Sequence, residues 1–298
     1  MLQLAALNRR VELGPTPGWS TMEELERAAD ARLEALRRSR AERARPGLER
    51  LGARLDALVR TDALESLDRA DHPDTRKLAQ VRLLHLQNLA LRSYQRTLRI
   101  LGPVISEARA RRGDRPVRVL ELASGAGEMT MALAAEAARR GWPLEVTGSD
   151  VVPSYVARAN ALAEARGSRA RFRVIDGFAL ADSLAHGEVD VVLVAQSAHH
   201  FSAGQLAKVI AQVEAAGGTH VVVVDGHRSV RMLVALPTIA LVGLDRHFAH
   251  DAWISARRFY SEPELELVAR IAAPRATVTS RCETPLTTVL TVAFAGRT

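Results

Sequence analysis

From Pro116 onward the chain alternates short runs of Val, Leu and Ile with segments of helical period, and this alternation constrains its fold more than any other feature. The runs are VRVLEL (117–122), LEVTGS (144–149), ARFRVI (170–175), VDVVLVA (189–195) and HVVVVD (220–225). Helical stretches at 127–140, 153–166 and 203–216, with a shorter one between the third and fourth runs, separate them. Strands that are apolar along their whole length, rather than at every second position, belong to a parallel sheet covered on both faces. The end of the chain differs. After a helix at 261–272 with a Ser261/Glu264 capping box, runs 276–282 and 286–294 are joined only by Glu283-Thr284-Pro285. A link that short permits only an antiparallel hairpin. The expected fold is an α/β, Rossmann-like doubly wound sheet of parallel strands with a C-terminal antiparallel hairpin, preceded by an N-terminal helical segment.

That segment, residues 1–115, reads as a helical cap or dimerisation element. Residues 19–60 are helical by period, opened by a Ser20/Glu23 capping box. Met22, Leu25, Ala29, Leu33 and Leu36 form one stripe; Leu48, Leu51, Leu55 and Leu58 form a second beyond Pro46-Gly47. Both are expected to pack helix on helix. A further helix follows Asp71-His72-Pro73, carries Leu78, Val81, His85, Leu89 and Tyr94, and is expected to kink or end at Gly102-Pro103. The formal charge of +7 sits wholly in this part: residues 1–116 hold 23 basic and 16 acidic side chains, residues 117–298 hold 18 of each. The arginines alternate with acids instead of forming a patch of one sign, so no specific nucleic-acid partner is expected. The longest apolar run, 232–244, is 13 residues broken by Pro237, too short to span a membrane. The single Cys282 rules out a disulfide framework and fits a reducing cytoplasm.

Chemistry concentrates at the strand ends. Glu121-Leu-Ala123-Ser-Gly125-Ala-Gly127 links the first strand to a helix, where small residues and unpaired N–H groups admit a ligand. The dinucleotide fingerprint would place Gly or Ala at 130; Thr130 stands there and argues against a pyrophosphate cofactor. Asp150 ends the second strand, where a carboxylate can accept from ribose hydroxyls or, alternatively, cap a helix. Asp176-Gly177-Phe178 ends the third, suited to an adenine ring or to a plain turn. Together these ends form one crevice at the carboxyl edge of the sheet.

ELASGAG, GSD, IDGF and VDVVLVAQSAHHF, in this order and spacing, resemble the class I S-adenosylmethionine-dependent methyltransferases, and most closely the quinone-biosynthesis type. The likeness covers about 115–228 well and 259–298 in outline. It implies a methyltransferase domain over 116–298 that uses S-adenosylmethionine. It further implies that Glu121, Ala123, Gly125 and Gly127 line the methionine part, Asp150 and Val151 hold the ribose, Asp176, Gly177 and Phe178 the adenine, and Ala195 and Gln196 flank the sulfonium. Ala123 departs from the family's usual glycine. His199 and His200 follow the fourth strand, where the methyl acceptor must arrive; either could take a proton as the methyl transfers. Residues 226–258 are too long for a simple connection and read as a helical insertion over the acceptor, with His227, His247 and His250 as acceptor contacts; Tyr94 is expected to contact the cofactor's carboxylate or the acceptor. No metal-ligand spacing is present, so no metal site is expected. The implied reaction is methylation of a small molecule, on the oxygen of an aromatic, polyketide or quinone-like acceptor, with carbon or nitrogen as alternatives. A nicotinamide oxidoreductase and a non-catalytic cofactor-binding scaffold are the competing classes. A homodimer through the N-terminal helices is the expected assembly.

Overall fold

The computed structural model describes residues 18–44, 46–66, 74–229, 232–236, 238, 246–283 and 286–296. The break at Asp71-His72-Pro73 and most of the apolar run after residue 236 lie outside them. Among the described residues the sheet has seven strands: β1 (Val117–Leu122), β2 (Leu144–Asp150), β3 (Arg171–Val174), β4 (Val191–Ala195), β5 (His220–Gly226), β6 (Thr277–Glu283) and β7 (Thr287–Ala293). Their order is β3-β2-β1-β4-β5-β7-β6. The first five run parallel; β7 is antiparallel to both β5 and β6. Both the parallel body and the terminal hairpin are as expected.

The continuous apolar strands have their reason in two cores. Leu120 and Leu122, Val192 and Val194, Val221 and Val223 face one side; Val117 and Val119, Val191 and Leu193, Val222 and Val224 face the other. Side chains alternate across a strand, so a strand covered on both faces needs apolar residues at every position. The edges are different: β6 is largely exposed and carries Thr, Ser, Arg281 and Glu283, which discourages pairing with another chain.

The helices are α1 (Met22–Arg43), α2 (Leu48–Val59), α3 (Asp74–Ala90), α4 (Ser93–Arg112), α5 (Glu128–Arg140), α6 (Pro153–Ala165), α7 (Leu180–Ser183), α8 (Ala203–Ala215), α9 (Arg246–Arg258) and α10 (Glu262–Ala272). No helix among the described residues is long and apolar enough to cross a membrane. α1 packs on α8 and α10 with Leu25, Ala29, Leu33 and Leu36 buried in the same core as β4 and β5. Its cap is Thr21, whose Oγ1 accepts from the Glu24 N–H at 3.2 Å, one residue later than the expected Ser20/Glu23 box. Ser20 instead donates from its N–H and hydroxyl to Glu24.

Two further expectations are corrected. Leu51, Leu55 and Leu58 of α2 are 53%, 46% and 78% exposed and do not pack helix on helix. α2 docks through its charged face: Asp56 takes Arg228 Nε at 2.6 Å, and Arg60, at its end, reaches the fully buried Glu264 at 2.6 Å. The single helix expected through Tyr94 is two, parted at Arg92, which adopts a left-handed φ of 53°. α4 then runs through Pro103 to Arg112 without ending. The Ser261/Glu264 box is present, with both Ser261 groups bonded to Glu264 Oε2.

Candidate active site

β1 and β4 are neighbours, but their connections leave to opposite sides, and a crevice opens where the two chains part. Both chains turn sharply there. Ala123 after β1 and Gln196 after β4 hold left-handed φ values of 51° and 58°. Non-glycine residues adopt this region at a cost of about 1–2 kcal/mol, and such strain collects at ligand sites. The chain leaving Ala123 enters α5 through Gly127, at φ 79°. A Cβ at Gly127 would collide with the Phe172 ring, so this glycine serves helix–sheet packing.

A cavity of about 520 Å³ occupies the crevice. Of the residues assigned to the cofactor, Glu121, Ala123, Gly125, Asp150, Val151, Ala195 and Gln196 line it. Gly127, Asp176, Gly177 and Phe178 are outside its lining. Asp176 is exposed and its Oδ1 accepts from the Phe178 N–H at 2.8 Å, forming a turn. Phe178 touches the cavity wall indirectly, edge-on to Phe201 at 5.1 Å.

Asp150 is 8% exposed, and each carboxylate oxygen accepts one backbone N–H, from Gly125 and from Val152, both at 2.9 Å. Burial raises its pKa despite those bonds. Glu121, 2% exposed, accepts from the Thr130 hydroxyl. Burial pushes its carboxyl up to about 8, with Asp150 adding like-charge repulsion. Thr130, read in the sequence only as the loss of a glycine, is thus the residue that holds Glu121. Ser124 Oγ faces the cavity, buried and without a hydrogen-bond partner. An unpaired hydroxyl, a buried carboxylate with lone pairs to spare, and a small-residue turn before a helix suit a nucleoside with a charged tail. The residues present therefore fit S-adenosylmethionine.

A second cavity, about 160 Å³, adjoins the first and shares with it Leu84, Asn88, Ser93, Thr97, Gln196 and His200. Asn88 and Gln196 exchange amide hydrogen bonds of 2.6 and 2.8 Å at the boundary. Met232, Leu236, Phe248, Ala252 and Phe259 supply apolar walls. Phe248, Asp251, Ala252, Ser255 and Phe259 recur at helical spacing, so one face of α9 meets the cavity. His247 and His250 lie on the other, exposed face and do not line it. His227 is buried elsewhere, its Nε2 3.4 Å from Glu262. Tyr94 lines the first cavity rather than this one, its hydroxyl 3.0 Å from His85 Nδ1, and burial raises its pKa. His227, His247 and His250 therefore stand away from the second cavity, contrary to expectation, while Tyr94 borders the first.

His199 and His200 do line the second cavity. His199 is buried with both nitrogens engaged: Nδ1 lies 2.8 and 3.0 Å from the Asp225 carboxylate, and Nε2 3.3 Å from Glu65 Oε1. Burial alone would lower its pKa, but Asp225 and then Glu65 outweigh that and raise it to about 10. Glu65 is correspondingly held down to about 2 against the effect of its burial, chiefly by His199. A ring that keeps its proton between two carboxylates is no free base at neutral pH. His200 borders both cavities, with Nε2 3.8 Å from Glu65 Oε2.

Glu65 and Asp225 were not among the sequence candidates for the site. Asp225 carried a signal, as an acid ending an apolar strand at the edge that bears Asp150. Asp251, part of the His-rich 226–258 segment, accepts from Ser66 and Gln80, and Glu65 accepts from Ser255 Oγ at 2.6 Å; nothing in the local sequence marks Glu65.

Residues 119–218 match the family described as a methyltransferase domain. No curated protein matches the chain. Among solved structures, the plantazolicin methyltransferase BpumL in complex with SAH is 13% identical, with 90% of this chain and 99% of that one covered at a TM-score of 0.53. BpumL in complex with a monoazolic desmethylPZN analog and SAH is 14% identical over 75% and 91%, at 0.54. The DszA carbon methyltransferase is 14% identical over 70% and 56%, at 0.51. These likenesses concern the fold; the family match and the cavity at the β1 and β4 ends carry the chemistry. Residues 119–218 thus form a methyltransferase domain, and the chain is an S-adenosylmethionine-dependent methyltransferase.

Proposed function

We propose that the enzyme methylates the oxygen of a small aromatic, polyketide or quinone-like acceptor held in the second cavity. One observation carries this reading: the two cavities meet at Gln196 and His200, so an acceptor in the second faces a cofactor in the first. The apolar walls from Met232, Leu236, Phe248 and Phe259 favour a ring or hydrocarbon body, and the polar boundary favours a hydroxyl directed toward the cofactor. Bound S-adenosylmethionine supplies a methyl group on a sulfonium, which is already a good leaving group. The protein's part is then alignment and exclusion of water. Asn88 and Gln196 hold α3 against β4 and close the boundary. His200, bordering both cavities, orients the reacting hydroxyl and takes its proton.

The test is incubation with methyl-labelled cofactor and a panel of phenols, hydroxyquinones and enolic polyketides, with the product's methyl located by NMR. An O-methyl signal supports the reading. A methyl on carbon or nitrogen overturns the choice of atom, and no turnover across the panel overturns the acceptor class. The exposed Leu51, Leu55 and Leu58 support pairing of two chains through the N-terminal helices. Sedimentation equilibrium that gives a monomer at all accessible concentrations removes that part.

A further inference from the structure

We propose that Glu65, His199 and His200 form a binding site for a first-row divalent cation, whose open positions face the second cavity and take an acceptor with two neighbouring oxygens. This rests on the placement of the acceptor argued above and refines the role of His200, which would act on the acceptor through the cation rather than as a free base.

The donor atoms of these three residues all lie within 4.8 Å of one another. His199 Nε2 and His200 Nε2 stand 3.3 and 3.8 Å from the two oxygens of Glu65. Bonds of about 2.1 Å to one ion separate neighbouring ligand atoms by about 3.0–3.4 Å, so the cluster needs only a small contraction to close on a cation. Two imidazoles and one carboxylate are a donor set suited to Zn²⁺, Fe²⁺ or Co²⁺ rather than to Mg²⁺ or Ca²⁺.

The surroundings are those of a ligand set held in place. A metal-bound histidine commonly donates its second N–H to a carboxylate, which fixes the ring and its tautomer. His199 does this: Nδ1 faces Asp225 at 2.8 Å, and the His199 N–H donates to the same carboxylate at 2.8 Å, leaving Nε2 directed at Glu65. Glu65 is oriented in turn by the Ser255 hydroxyl at 2.6 Å. Phe259 stacks edge-on against His199 at 4.9 Å and limits its rotation. Three protein ligands leave coordination positions vacant toward the cavity, and two adjacent oxygens, as in a catechol, a hydroxyquinone or an enolised 1,2-dicarbonyl, would fill them.

The experiment is a titration of the chelator-treated full chain with Co²⁺, followed by its visible absorption, then displacement by Zn²⁺. One Co²⁺ per chain is expected, with affinity falling tenfold or more in both Glu65→Gln and His200→Ala. In Glu65→Gln calorimetric affinity for S-adenosylmethionine should stay unchanged, because Glu65 lines the second cavity and not the first. Absence of stoichiometric Co²⁺ binding by the unaltered chain overturns the proposal whatever the variants do. Equal Co²⁺ affinity in both cofactor-competent variants overturns it as well. Stoichiometric binding without turnover of any phenol upholds the site and removes the acceptor reading instead, so the two claims fail separately.

Discussion

The two cavities are neighbours with different origins. The first is cut mainly into the carboxyl edge of the sheet, by the turns that follow β1, β2 and β4, with α3 and α4 as its lid. The second is assembled from Glu65, α3, α4, His199, the end of β5, Met232, Leu236, α9 and the start of β7. One ligand is a fixed nucleoside that backbone turns can recognise wherever a parallel sheet splits. The other is recognised by side chains from whatever segments lie over that edge. Enzymes built on one sheet can therefore share a cofactor and differ wholly in acceptor.

Predictions that break this division rank by size. His200→Asn should lower kcat by about 100-fold or more while cofactor affinity stays constant, measured by initial rates and calorimetry. A loss of cofactor binding instead would show that the two cavities are one functional unit. Asp150→Ala should weaken S-adenosylmethionine binding by about 1.5–3 kcal/mol, the scale of a hydrogen bond to a charged group. Unchanged affinity in the folded variant would remove the proposed seat of the sugar.

Glu121 sharpens the comparison by pH. Its folded pKa of about 8 lies above the ordinary carboxyl value of 4.5, because burial penalises its charge. Its contribution to stability is thus complete below about pH 4.5 and is lost as pH rises through 8. The Tm of the unaltered protein should fall relative to Glu121→Gln across that window. The cationic cofactor needs the ionised form, so its affinity should rise about tenfold between pH 7 and 9 and level off above. Glu121→Gln should flatten that profile, as followed by calorimetry. The smallest effect is expected at Ala123, whose left-handed φ of 51° penalises any Cβ. Ala123→Gly should raise stability by about 1 kcal/mol in urea unfolding, with cofactor affinity little changed.

The N-terminal helices show why only part of this was legible. Two leucine stripes at helical spacing look alike on paper. That of α1 is buried against α8 and α10, whereas that of α2 faces outward because Asp56 and Arg60 find buried partners in Arg228 and Glu264. Periodicity records that a helix has an apolar face, but the competition between that face and a set of charged partners is settled by residues about 170–200 positions away. Histidine shows the same limit. His199 and His200 were legible as the pair after the fourth strand, yet the protonated state of His199 depends on Asp225 and on Glu65, the latter from a connecting stretch with no motif.

The sequence by itself determined the parallel sheet, its antiparallel end and the cofactor crevice. Each follows from local rules: two-faced apolar strands, a three-residue link, and small or acidic residues at strand ends. Tertiary structure alone decided which face of α2 and α9 turns inward, where Tyr94 and the histidines of 227–250 point, and that Glu65 closes on His199 and His200. Those outcomes depend on side chains meeting across long sequence separations. Burial, not spacing, sets the cost of a charge there, and no period in the chain records it.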